Sequence, residues 1–380
     1  MPAAGSLTAS QRDWLRVRSY LQEHRYDLAV DAAGEYPADR RAAGTPLLAA
    51  PGWLPAEPVP LREVGLEFTP EAAPGALPPL PEPALPELVL PERPDGTRYL
   101  SYSDAMRDLA APAVFENRPT YRLIEARLTP GASRLAFTRG RYFDGIDTGE
   151  AAAHEYAATR LGAPGLRAGA AGPRARLADP CDLRRRPANL AVSTLTLRLD
   201  QAAGRASFLM HWRDPAKVGH AGGLYQVIPV GIFQPAGEAG RHEREDFSLW
   251  RCMVREFAEE LAGHPEDYGA GPAGYDSWPF ARHMTRALDR GQIRVWCLGL
   301  GTDPLTYATD LLTVAVIDSD VFDGLFGLGP RPNAEGSVLA AREFAAHVIE
   351  PIVTGDPVQA AGAAVLRLAW RHRESLGCPP

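Results

Sequence analysis

Lysine is nearly missing from this chain. Lys217 stands alone among 40 basic residues, so almost all the positive charge is arginine. Alanine, glycine and proline are abundant beside it, a pattern of GC-rich coding that removes arginine content as a sign of phosphate recognition. With 47 acidic residues the formal net charge is −7. A nucleic-acid binder usually carries a basic stripe, and that class is set aside. Cysteine is also scarce. Cys181, Cys252, Cys297 and Cys378 lie far apart, with no Cys-x-x-Cys spacing, which argues against a zinc ribbon or a disulfide framework. Apolar runs long enough to cross a bilayer are lacking. The opening MPAAGSLTASQRDW has no basic segment followed by an apolar one. A cytoplasmic protein with no membrane partner is therefore expected. Walker and Gly-x-Gly-x-x-Gly loops and a Gly-x-Ser-x-Gly elbow are missing as well.

What is present suits a globular chain. The 380 residues are 45% hydrophobic and 23% charged, enough for an ordinary core and long enough for two domains. Residues 8–35 have an uneven helical stripe through Trp14, Leu15, Val17, Leu21, Tyr26, Leu28 and Ala29. Thr8 and Gln11 have the spacing of a capping box. Residues 1–68 are read as a helical N-terminal region and 69–97 as a Pro-rich linker, stiffened because proline fixes φ and removes donors. Residues 98–184 are read as an α+β region. It has strands at 121–128 and 133–140 around Pro130-Gly131, then a helix over 147–162. Glu150 and His154 share a face of that helix at i,i+4. They read either as half a metal site or as a solvated polar face.

The remainder, 185–375, alternates strands and helices. Strands are expected at 190–199, 206–213, 222–233, 293–301 and 310–318, with helices at 246–262, 340–353 and 360–375. The fold class is α/β, with a mixed sheet between helices.

The informative segment is DFSLWRCMVREFAEELAGHP, 246–265. Trp250, Met253, Val254, Phe257 and Leu261 make one apolar helix face. Asp246 is placed to cap the start, and Gly263 and Pro265 to stop the end. The other face carries Arg255, Glu256, Glu259 and Glu260. Three carboxylates on about one turn repel unless water screens them or a hard divalent cation binds them. Arg255 and Glu259 have i,i+4 spacing and can pair. The plain alternative is an exposed acidic face on an amphipathic helix.

Arg-Glu-Phe-Ala-Glu-Glu resembles the core of the Nudix box: Arg-Glu, a bulky apolar residue, any residue, Glu-Glu. Upstream, Pro229-Val230-Gly231 ends a strand, and Glu238 follows Gly231 within GIFQPAGE, in the order that the Nudix family uses. The chain departs from the pattern in its spacing. A charged stretch, AGRHERED, separates Glu238 from the helix, and Ala262 stands where the pattern has glycine.

The resemblance covers about half the chain. It implies a C-terminal Nudix-like α/β/α sandwich with a mixed sheet, preceded by the helical and α+β regions. It implies Mg2+ or Mn2+ on Glu256, Glu259 and Glu260, and a ligand-facing backbone at Gly231. Catalytic roles are implied for Glu238, Arg255 and Glu259. The reaction it implies is metal-dependent pyrophosphohydrolysis of a nucleoside diphosphate linked to another group. A non-hydrolytic sensor with the same pocket is the alternative. The partner in both is a small nucleotide-type ligand, and a homodimer is left open. His211, His220 and His242 are candidate acids, and Asp303 and Asp310 are candidate bases or extra ligands.

Overall fold

The computed structural model describes residues 7–70, 89–112, 115–162, 172–214, 222–237, 240–264, 275–327, 329, 331–332 and 336–379. Most of the Pro-rich segment, together with Glu238 and His220, lies outside these residues. The chain is a mixed α/β structure built on a large mixed sheet. At its centre runs the strand Leu190–Asp200, buried along almost its whole length. It pairs in parallel with Thr309–Asp318 and antiparallel with Arg205–Phe208 and Val230–Ile232. Ile293–Thr302 extends the sheet beyond Thr309–Asp318. Val59–Pro60 forms one edge and Arg342–Glu343 the other. A strand covered on both faces needs apolar side chains on both, and LAVSTLTLRL meets that with threonines that bond inside the sheet. The Thr194 and Thr313 hydroxyls are 2.9 Å apart, and Thr196 donates to the Ile228 carbonyl at 2.6 Å.

Two runs that read as single strands in the sequence are divided between sheets. Residues 206–213 break at Leu209. Arg205–Phe208 stays in the central sheet, while Met210–Arg213 joins a second sheet with Tyr225–Val227, Gly336–Val338 and Arg331–Pro332. Residues 222–233 break at Ile228-Pro229, which leaves Val230–Ile232 against the central strand. The helix expected from 340 begins at Ala346, because Arg342–Glu343 pairs with Phe208 and Ser207 instead. The last helix, Ala360–Arg371, packs on the central strand and its neighbours.

The N-terminal half is fastened to this sheet. Its helices Ala9–Glu23 and Arg25–Gly34 follow the predicted stripe, and the Thr8–Gln11 capping box forms. A three-stranded sheet joins Gly65–Phe68, Arg134–Arg141 and Pro119–Arg127. The 147–162 helix divides into a π turn, Ile146–Glu150, and a helix, Ala151–Arg160.

Neither reading of Glu150 and His154 holds: they are buried, at 3% and 1% exposure, and belong to no solvated face. Arg18 donates to Glu150, and Arg25 grips both its oxygens at 3.1 Å. His154 stacks on Trp14, with ring centroids 5.3 Å apart, and its Nδ1 lies 3.2 Å from the Tyr102 hydroxyl. Burial, with Arg18 beside it, pushes the imidazole down to about 3. A buried carboxylate between two guanidiniums is a structural ion cluster, since desolvated charge is tolerated only when paired.

Candidate functional site

The acidic helix spans Leu249–Glu256 and continues as a π turn, Phe257–Leu261, closed by the Ala262 N–H donating to the Phe257 carbonyl at 3.0 Å. Gly263, at φ +73°, ends it in a left-handed conformation that glycine adopts without strain. Met253, Val254, Phe257 and Leu261 are buried as the stripe predicts, and Leu249, Cys252 and Ala258 join them. Trp250 is only half-buried and donates to the Thr285 hydroxyl. The N-cap differs from expectation. Ser248 accepts the Arg251 N–H, and Asp246 lies two residues outside the helix. The widened turn begins just after Glu256 and contains Glu259 and Glu260. Such turns alter the regular i,i+4 stacking and recur at functional sites.

This helix is seated on Val230–Ile232. Glu256 lies against the bare Cα of Gly231: a Cβ there would stand 1.9 Å from its Cδ. Next to it, the Val230 N–H donates to Glu260 Oε1 at 3.0 Å, and Glu260 is buried. The Cys252 thiol points at the Ile232 carbonyl. Burial, with Glu256 near, pushes that thiol up to about 12. Gly231 thus has a reason in packing. The strand needs a residue without a side chain to admit a carboxylate. That contact was legible in the sequence only as a glycine before an acidic helix.

Arg255 reaches the loop beyond the strand. It donates to the Gln234 carbonyl at 2.6 Å and pairs with Asp246 at 3.2 Å. Burial lowers its pKa. Cys252, Asp246, Glu256 and Glu259 act the other way, and the net direction is up. Asp246 is the residue that sequence reasoning misplaced as a helix cap. Its partner lies nine positions away, a spacing that no local pattern flags.

The three helix carboxylates are not gathered alike. Glu256 and Glu259 are half-buried, and Glu260 is buried against the strand backbone. Among the described residues, no three of His, Cys, Asp or Glu come close enough together to hold a metal ion.

The candidate aspartates are elsewhere. Gly231 pairs with Val192, so Val192 shares the face that receives Glu256. Alternation sends Ser193 to the opposite face, and Ser193 donates to Asp310 at 2.7 Å. Asp310 therefore faces away from the acidic helix, buried, with its carboxyl pushed up to about 7 by desolvation. Asp303 closes its own loop, accepting from the Leu305 and Thr306 amides and the Thr306 hydroxyl. The register removes Asp310 from a role as base or ligand at the helix, and Asp303 Oδ1 is taken up by its own loop. Of the candidate histidines, His211 is buried in the second sheet, whereas His242 comes 3.5 Å from Asp246.

The fold and site define a mixed α/β protein with an acidic helix seated on a glycine strand. Comparison with protein-family models and with curated proteins found none that matches the chain. Among solved structures the chain is similar to a NUDIX hydrolase from Alicyclobacillus acidocaldarius. That likeness has 18% identity and a TM-score of 0.29, and covers 50% of this chain and 92% of the other. No helix among the described residues is long and apolar enough to cross a membrane.

Proposed function

We propose that this is a Nudix-like protein that hydrolyses a phosphoanhydride in a nucleoside diphosphate linked to another group. One observation carries the reading. Glu256 and Glu260 are seated on the Val230–Gly231 backbone, and Arg255 ties the following loop to the same helix. That arrangement fixes the acidic helix against the strand, so that the carboxylates which would hold a cation have a set position. Leu249–Glu256 and Ala360–Arg371 are among the helices packed on the mixed sheet, which suits a Nudix-like sandwich.

The donor set suits a hard cation. Mg2+ takes one or two carboxylates and completes its shell with water and substrate phosphate. Glu256 and Glu259 are half-buried neighbours on the helix and would supply those carboxylates. Glu260 is committed to the Val230 amide and would set the helix against the strand. A bound Mg2+ or Mn2+ would neutralise the pyrophosphate and lower the pKa of a water. Arg255 fixes the loop at Gln234, and Glu238, outside the described residues, is proposed to assist. In the reaction, water adds to one phosphorus and the bridging P–O bond breaks, releasing a nucleoside monophosphate.

A second reading, a non-hydrolytic sensor, is favoured by one specific observation. The described carboxylates do not converge in threes, and one of them already accepts a backbone N–H. A panel of nucleoside diphosphate derivatives with Mg2+ or Mn2+, assayed for released monophosphate, separates the readings. Turnover by at least one compound supports the hydrolase. A raised melting temperature without turnover replaces it with the sensor. The absence of both turnover and stabilisation removes both readings.

A further inference from the structure

The charged stretch 239–246 reads in the sequence as an insertion that lengthens a loop. In the structure its described part, residues 240–246, is held at Glu243 and at Asp246. Residues Gly240–Glu245 form a short helix. The Tyr121 hydroxyl donates to the Glu243 carbonyl at 2.9 Å, and Arg139 grips the Glu243 carboxylate at 2.7 and 2.8 Å. Just beyond it, Phe247 packs its ring among Phe68, Tyr121, Phe137 and Phe233, with centroids 5.0–5.6 Å away. The three-stranded sheet of the N-terminal half thus fixes where residue 246 stands.

Asp246, 8% exposed, uses both oxygens. Oδ1 takes Arg255 at 3.2 Å, while Oδ2 accepts the Ala236 N–H at 2.9 Å and lies 3.5 Å from His242 Nδ1. Arg255 then donates to Gln234. Two bonds therefore hold residues 234–236, one directly from Asp246 and one through Arg255, and both start from a single carboxylate. We infer that Asp246 is a positioning residue, which aims Arg255 and holds the loop after Gly231 over the acidic helix. The inference rests on reading that helix as the site. The insertion then has a purpose: it brings a buried anion to Arg255 on a support built by the N-terminal half.

Asp246→Asn is isosteric but cannot satisfy Arg255 and Ala236 as an anion does. Hydrogen exchange in the full chain should show the 233–237 amides (Pro235 has none) opening about tenfold faster in the variant, with the central strand 190–199 unchanged. Titration with Mn2+ alone should show about tenfold weaker binding, the usual loss when the group orienting a metal site is removed. Unchanged exchange at 233–237 overturns the inference. So does loosening of the central strand to the same degree, which would make Asp246 a general stability residue. Faster loop exchange with unaltered Mn2+ affinity also overturns it, because the loop would then not serve the site. If the wild type itself binds no Mn2+, the reading of the site fails, and exchange at 233–237 still decides whether Asp246 holds the loop.

Discussion

The carboxylate of Glu256 occupies the space where a side chain at residue 231 would begin. A Cβ on Gly231 would meet its Cδ at 1.9 Å and its oxygens at 2.1 and 2.4 Å. Gly231→Ala must therefore displace the carboxylate or push the strand off the helix. We expect a loss of ~1–3 kcal/mol, the usual cost of overpacking. Adding Glu256→Ala should return most of it, because the clash partner is then gone. Urea denaturation of the single and double variants checks this. Equal losses in both would place the strain somewhere other than this contact.

Phe257 is fully buried and stacks on Phe326, with centroids 5.6 Å apart. Phe257→Ala should cost ~3–5 kcal/mol, as for large core aromatics. A loss under ~1 kcal/mol by chemical denaturation would mean that the apolar stripe does not face the core.

Glu150 is enclosed with Arg18 and Arg25 and is 3% exposed. Glu150→Ala leaves two guanidiniums without their carboxylate. The expected loss is ~3–5 kcal/mol, larger than for an exposed ion pair. If the melting temperature hardly moves, the cluster is not holding the N-terminal helices.

Asp310 gives a pH dependence with a definite sign. Its folded value is pushed up to about 7 by burial, against about 3.9 in an unfolded chain. Below the lower value both states are protonated and the contribution is whole. Between the two, the unfolded chain releases its proton and the folded chain keeps it, so stability falls as pH rises towards 7. His154, held at about 3 by burial, acts the other way and destabilises the fold as pH drops below its ordinary value. A difference between proteins isolates Asp310. Asp310→Asn can still accept the Ser193 hydroxyl. From pH 5 to pH 8 it should gain ~1 kcal/mol or more over the wild type, since each tenfold difference in proton affinity between the folded and unfolded states is worth ~1.4 kcal/mol. Urea midpoints at the two pH values measure it, and an identical difference at both would contradict the assignment.

Local pattern carried much of the fold. The long strands Leu190–Asp200, Ile293–Thr302 and Thr309–Asp318 and the acidic helix announce themselves by composition and period. What escaped depends on distant partners. Glu150 reads as surface until Arg18 and Arg25 arrive from more than a hundred residues away. Asp310 reads as a site residue until the register with Leu190–Asp200 turns it to the other face. Asp246 reads as a cap because its spacing to the helix suits one, whereas Ser248 caps and Asp246 serves Arg255. The apposition of Gly231 and Glu256 was legible only as order along the chain; the pairing of Val230–Ile232 with the central strand makes it a contact.

The acidic helix, on its glycine strand, is proposed to hold a divalent cation through Glu256 and Glu259. Isothermal titration of the full chain with Mn2+, beside Glu256→Gln/Glu259→Gln, tests it most directly. The wild type should bind saturably and the double variant at least ~10-fold more weakly, with the same unfolding transition in both. Equal binding by the two proteins, or none by the wild type, would contradict it.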